Sequence, residues 1–295
     1  MRLKKKKIPY GQVALHAFFL VLISAYVIPF MMVVSVSFSD EQSIVRHGYQ
    51  LIPKVFSLEA YKTVFSDTTQ IFNSYRTTII YSVASTALAL LVMALMAYPL
   101  ARPNYKPRKF INVYILFTML FNAGLVPTYI LITQYLKLQN TIWVYILPSL
   151  LSAYHLFIIR TNYKSLPGEL IEAAKLDGAS ELTICFRIVI PLTVPALASI
   201  GFLHFVTCWN NWATSLYYIK KEELFSLQYL LQRILQDMEI LKEMADSGLL
   251  KPGQPFPRES TLYATAVVAA GPVLFVFPFF QKYFSKGLTV GSVKG

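Results

Sequence analysis

Apolar residues run along this chain in long unbroken stretches, with little of the alternation or three-to-four-residue rhythm that marks half-buried strands and helices in water. A helix crossing about 30 Å of hydrocarbon at 1.5 Å per residue needs roughly 20 mostly apolar residues. Six stretches qualify, at about 12–37, 77–100, 110–133, 141–160, 188–215 and 262–281. They predict an all-α polytopic membrane protein with six transmembrane helices. The first stretch follows "RLKKKK", is longer than the apolar core of a secretory signal and is closed by no small-residue cleavage site, so it reads as an uncleaved anchor. Pro148, Pro195, Pro272 and Pro278 read as kinks whose freed carbonyls find neighbours, and Pro127 as a loosening of the third helix.

One stretch between the apolar runs has a clear helical rhythm. In "LFSLQYLLQRILQDMEILKEMADSG", Leu227, Leu230, Leu231, Ile234, Leu235, Met238 and Leu241 share a face, with charges opposite. This predicts an amphipathic helix at about 223–247, stopped by Gly248 and too polar to span. It is either a lid packed on its own subunit or a docking surface for a partner protein.

Composition supports lipid as the main solvent. Of 295 residues, 55% are hydrophobic and 14% charged, against about a quarter charged in soluble domains. The formal net charge of +12 would suggest nucleic acid in a soluble chain. Here its distribution explains it. With the N-terminus inside, the inner segments 1–11, 101–109, 160–187 and 282–295 hold 16 Lys/Arg and four acids, and the outer segments 11 of each. The loop "ARPNYKPRKF" alone carries Arg102, Lys106, Arg108 and Lys109 without an acid. Positive charge gathers on the cytoplasmic side of membrane proteins. Both termini, 1–11 and 282–295, are therefore expected in the cytoplasm, flanking a six-span transmembrane domain at 12–281, with no role for nucleic acid. The two cysteines, Cys185 and Cys208, have neither zinc-like spacing nor the pattern of a disulfide framework.

Between the fourth and fifth runs lies "LPGELIEAAKLDGASELTICFRIVIPL", in a predicted cytoplasmic loop at 161–187. Pro167 suits a helix start, and Glu169 and Glu172 lie early, where the helix dipole favours negative charge. Ala173 and Ala174 combine high helix propensity with a small face that another surface can approach. Asp177-Gly178 ends the helix through a left-handed glycine, and Ser180 can cap a second short helix leading to Pro191.

The same residues carry a resemblance. "EAAKLDGASELTICFRIVIP" resembles the EAA loop of the membrane subunits of bacterial ABC importers: Glu172, Ala173, Ala174, Gly178, Ile188 and Pro191 stand at the family's spacing, with Ile190 in place of leucine. "FNAGLVPTYILITQYLKLQNTIWVYILP" is similar to the third-to-fourth-span region of carbohydrate-importer permeases, with Ala123 where the lipoprotein-associated and polysaccharide-transport subgroup usually has glycine. "CWNNWATSLYYI" resembles that family's segment at the end of the fifth span, with Asn211 replacing an acid, and "FSKGLTVGSVKG" its usual ending.

The resemblance implies the type I importer permease fold with a cytoplasmic coupling helix. In that family the EAA helix docks into a cleft on an ATPase, so Glu172, Ala173, Ala174, Asp177 and Gly178 would couple the two. It also implies a second, non-identical permease, an ABC ATPase dimer that binds ATP and Mg, an extracytoplasmic solute-binding protein and an oligosaccharide cargo. The chain itself has no Gly-x-x-x-x-Gly-Lys-Ser/Thr loop for ATP and is expected to bind no cofactor or metal.

Polar residues inside the predicted spans are candidates for a substrate pathway. Asn122 falls about 12 residues into the third span, near the midplane, as a pathway residue or an interhelical hydrogen bond. His204 lies deep in the fifth, as a packing histidine or a substrate contact. Trp209 and Trp212 fall where an aromatic belt is expected, and Asn210 and Asn211 between them could hydrogen-bond a sugar. Two other function classes fit less well. A membrane-embedded enzyme needs a catalytic set, but His16, His47, His155 and His204 are scattered and the spans hold almost no carboxylate. The same lack counts against a proton- or sodium-coupled secondary transporter.

Overall fold

The computed structural model describes residues 10–66, 68–247 and 259–290. The chain forms α1 (Tyr10–Ser37), α2 (Glu41–His47), α3 (Glu59–Val64), α4 (Thr68–Ala101), α5 (Arg108–Leu120), α6 (Leu125–Ile130), α7 (Trp143–Ile146) and α8 (Ala153–Lys164). It continues through α9 (Gly168–Leu176), α10 (Glu181–Ile184), α11 (Ile190–Leu192), α12 (Val194–Trp209), α13 (Ala213–Tyr218), α14 (Leu227–Asp246) and α15 (Glu259–Val290). Among the described residues there is no β-strand beyond one isolated bridge, Ser39 to Phe56.

Among the described residues three helices, α1, α4 and α15, are long and apolar enough to cross a membrane alone, and three bent pairs, each taken as one span, bring the number to six. The six expected spans are therefore present, three of them bent, two of those near the prolines expected to kink them, Pro148 and Pro195. The third run breaks after Phe121, and its two limbs, Arg108–Leu120 and Leu125–Tyr135, meet at 111°. Gly124 sits at φ +84°, open to glycine at no steric cost, and its N–H donates to the Asn122 side chain at 2.9 Å. Asn122 is thus an exposed turn residue and not a mid-helix polar group, and Pro127 merely occupies the first turn of α6. The fourth run bends by 47° after the turn containing Pro148. The fifth bends by 78° at Thr193, between Pro191 and Pro195, and its helix ends at Trp209 instead of continuing to 215. α15 runs through Pro272 and Pro278 as one helix.

The chain divides into two compact units, residues 1–67 with 233–271 and residues 68–232 with 272–295. In the first, the side chains of α1 stay exposed from Gly11 to Met31 apart from Ser24, as lipid-facing residues do. Its best-tied feature is the start of α15. The Glu41 carboxylate accepts from the backbone N–H groups of Glu259 and Ser260, both at 3.0 Å, and from the Ser260 hydroxyl at 2.8 Å. An acid there satisfies donors that a helix N-terminus leaves free and favours its dipole. Tyr49 donates to Glu259, and that bond pushes the phenol up to about 12.

In the second unit α4 is the central element, packed against α8 and α12. It begins at Thr68, nine residues before the predicted span. Along one face it buries Ala89, Met93, Ala97 and Leu100 against Leu156 and Ile159 of α8 and Ile200 of α12. Nearer its start the Tyr81 and Tyr145 rings stack at 4.3 Å, and the Tyr81 hydroxyl donates to the Cys208 carbonyl. Thr78 accepts from the N–H of Leu227, so the amphipathic α14 starts fixed to α4. It begins at Leu227, not 223, because Glu222–Leu224 forms a separate tight turn. Its stripe is buried at Leu227, Leu230 and Leu231 and half-buried at Ile234, Leu235, Met238 and Leu241. Gly248, its expected stop, lies outside the described residues, as do residues 1–9 and 291–295 of the expected tails.

Candidate functional site

The segment between the fourth and fifth runs folds as the sequence suggested, with shifted boundaries. The fourth run's helix continues past Arg160 to Lys164, and helical structure resumes at Glu181, seven residues before the predicted fifth span. Pro167, in an extended conformation, is the residue just before α9, not one inside its first turn. Ile171 and Ala174, three apart and so on one face, are both 8% exposed and belong to the core built by α4, α8 and α10. Burying a side chain such as Ile171 is worth about 1.5–3 kcal/mol, which anchors a nine-residue helix too short to persist alone.

This corrects the expected small-residue face. Ala174 packs inward, and the outer face is Glu172 and Ala173 with Leu170 and, at 88% exposure, Leu176. The sequence reading missed Leu176, although its spacing from Glu172 and Ala173 puts it on their face. Leu182 of α10 is 68% exposed. Among the described residues Glu172 has no ion pair.

Backbone bonds close the helix end. The N–H of Ala179 donates to the carbonyl of Ala174 at 2.9 Å and that of Gly178 to Lys175 at 3.0 Å. Those two bonds, with Gly178 at φ +79° and Asp177 as the C-cap, make a Schellman motif. Ser180 then caps α10 by accepting from the N–H of Thr183 at 3.2 Å.

Beside α9 lies an open pocket of about 660 Å³, walled by the end of α4 and the loop after it, by α9, including Glu172 at its edge, and by α10. Polar side chains meet along it. Lys175 is 2.6 Å from Glu181, whose other oxygen accepts the Tyr98 hydroxyl hydrogen. Arg102 donates to the Tyr98 oxygen at 2.7 Å, and its guanidinium is 3.8 Å from Glu181. The Lys175 bond, then that of Tyr98, holds the Glu181 carboxyl below the usual range. Nearby, Arg160 donates to the Leu100 carbonyl at 3.0 Å and Arg108 to that of Arg102 at 3.2 Å. Cations thus sit on the carbonyls at the end of α4, where the helix dipole favours them.

The candidate pathway residues lie in different surroundings. His204 is buried, with Nε2 2.8 Å from the Ser149 carbonyl and Nδ1 3.6 Å from the Cys208 sulfur, the environment of a packing histidine. Trp209 is 2% exposed, which removes it from an aromatic belt, whereas Trp212 is 44% exposed. Asn211 is spent on α13, accepting from the N–H of Thr214 and donating to its hydroxyl. Asn210 accepts from the Gln228 amide at 3.3 Å, joining the end of α12 to α14. No hydrogen bond among the described residues joins Asn122 to any of these. Cys185 and Cys208 are both buried free thiols, and no group of described His, Cys, Asp and Glu residues could hold a metal.

Comparison with known proteins bears on the whole chain. It is 36% identical over 282 residues, 95% of its length and 97% of the relative's, to the polygalacturonan/rhamnogalacturonan transport system permease protein YtcP of Bacillus subtilis. It is 37% identical to protein LplC of the same organism over 91% of this chain and 90% of that one. The arabinooligosaccharides transport system permease protein AraQ of Bacillus subtilis is 31% identical over 96% of both chains. The crystal structure of a bacterial ABC transporter involved in the import of the acidic polysaccharide alginate contains a chain that matches with a TM-score of 0.77 and 28% identity, over 96% of this chain and all of that one. Residues 13–290 match the profile of the binding-protein-dependent transport system inner membrane component, and the chain belongs to that family, as a membrane-spanning ABC importer permease.

Proposed function

We propose that this permease carries oligosaccharides or polysaccharide fragments inward, driven by ATP, and forms one half of the translocation pathway. A second, non-identical permease supplies the other half. Two ABC ATPase subunits bind ATP and Mg and hydrolyse the nucleotide, and an extracytoplasmic solute-binding protein delivers the cargo. The polysaccharide and oligosaccharide names of the relatives and of the matching structure support the substrate class. The basic bias of 1–11, 101–109 and 282–295 supports both termini, with the 161–187 loop, facing the cytoplasm.

The observation that carries the coupling role is the outer face of α9. Glu172, Ala173 and Leu176 stand exposed on a helix rooted by Ile171 and Ala174, which is the form of a knob that enters a cleft. Asp177 and Gly178 hold its end in shape. An exposed ion pair contributes about 0–1 kcal/mol, but a charge enclosed at an interface and deprived of its partner costs roughly 2–5 kcal/mol. Glu172→Lys therefore releases or uncouples the ATPase while the spans stay inserted. The measurements are ATPase retention during purification and uptake of oligosaccharides of galacturonate and arabinose into proteoliposomes. Wild-type retention and uptake in the variant would overturn the coupling role. Failure of the wild-type complex to take up either sugar would overturn the substrate class.

A further inference from the structure

A coupling helix works only if its displacement reaches the spans, and the open pocket beside α9 opposes that. About 660 Å³ of open space separates part of α9 from the end of α4, and most of its wall is apolar, formed by residues such as Leu95, Pro99, Ile171 and Leu182. Beside that space α9 is held by the packing of Ile171 and Ala174 into the core, which has no directional bond to fix its angle. The Schellman turn, four residues long, is a second place where motion could be absorbed.

One carboxylate bridges both weak points. Through Lys175, Glu181 closes the turn between α9 and α10, so that the two helices hold a fixed angle. Through Tyr98 and Arg102 it fastens that corner to the last turns of α4. Tyr98 accepts from Arg102 while donating to Glu181, and Arg102 also lies over the Tyr98 ring, 4.7 Å from its centre. Charge-assisted hydrogen bonds of this kind have narrow geometric preferences. α4 is also the helix against which α8 and α12 pack.

We propose that Glu181 is a positioning residue for transport: with Lys175, Tyr98 and Arg102 it forms a strap that makes α9, α10 and α4 move together, so that ATPase motion is delivered to the spans. This rests on the coupling role proposed for α9. The Glu181 and Lys175 side chains are 55% and 46% exposed, so their pairing adds little to stability. Its effect lies in direction and stiffness. Glu181 does not itself touch the ATPase in this account.

The test uses the full importer complex in proteoliposomes, comparing wild type with Glu181→Gln, Glu181→Ala, Lys175→Met and Lys175→Arg. Three quantities are read: ATPase retained with the permease, ATP hydrolysis rate, and sugar transported per ATP. The expected result is full ATPase retention and near-wild-type hydrolysis in all four, with transport per ATP reduced at least ~3-fold in Glu181→Gln, Glu181→Ala and Lys175→Met. Lys175→Arg, which keeps the ion pair, should restore the ratio. An unchanged ratio in both Glu181 variants would sink the strap. Loss of the ATPase from the Glu181 variants would also overturn it, because it would place Glu181 in docking or folding. If the wild-type complex shows no coupling between hydrolysis and uptake, the functional reading itself fails, and that outcome is distinct from both.

Discussion

Gly178 offers the sharpest test of how the candidate coupling helix is held. It occupies the left-handed position of the Schellman turn at φ +79°, and a Cβ added there would meet no atom within 4 Å. The cost of a side chain is therefore local backbone strain, with no clash against a neighbouring element. Left-handed backbone costs an ordinary L-residue about 1–2 kcal/mol, a β-branched residue more, and asparagine least. If the closed turn is what presents Leu176 and Glu172, this strain weakens ATPase docking by a comparable amount, about 5–30-fold in an equilibrium constant. The expected order of ATPase affinity is Gly178, then Gly178→Asn close behind, then Gly178→Ala, then Gly178→Val. Titrating purified ATPase subunits onto permease in nanodiscs measures it, and thermal unfolding of the free permease checks that the spans are unaffected. If Gly178→Val binds as well as Gly178→Asn, or Asn is worse than Ala, left-handed strain is not what matters there.

Other outcomes follow from the packing. Glu41→Ala removes the acceptor for two backbone N–H groups at the start of α15 and should cost about 1–2 kcal/mol, read as a lower unfolding temperature in detergent, with Glu41→Gln intermediate. A Cβ on Gly201 would lie 2.8 Å from the Leu90 Cδ1; Gly201→Ala should be mild because that methyl can turn away, whereas Gly201→Ile should cost about 1–3 kcal/mol by overpacking, measured the same way. Single cysteines at Lys106 and Glu239, in a background lacking Cys185 and Cys208, should be labelled by an impermeant maleimide from opposite sides of the membrane; labelling of both from one side would refute the orientation.

Much of this protein is determined by local properties of its sequence. The length and apolarity of six runs decide that it is a membrane protein, because backbone groups in lipid must bond within their own helix. The local form of the 161–187 segment was legible too: a left-handed glycine after Asp177 and a serine cap at Ser180 act over a few residues, and the structure shows both. Tertiary structure decided what depends on remote partners. The bend at Phe121–Gly124 could not be read from hydropathy, which averages across a break, although "NAG" before Pro127 was a local turn signal; at Thr193 the flanking Pro195 signalled a kink but not its 78° size. Ala174 and Ala173 look equivalent in sequence, and only packing against the core on α4, α8 and α10 sends one inward and leaves the other on the surface. Trp209 and Trp212 separate for a like reason, since α12 ends between them. The meeting of Glu181 with Tyr98 and Arg102, 83 and 79 positions away, has no local cause: it exists because the end of α4 is brought beside the loop that precedes α12.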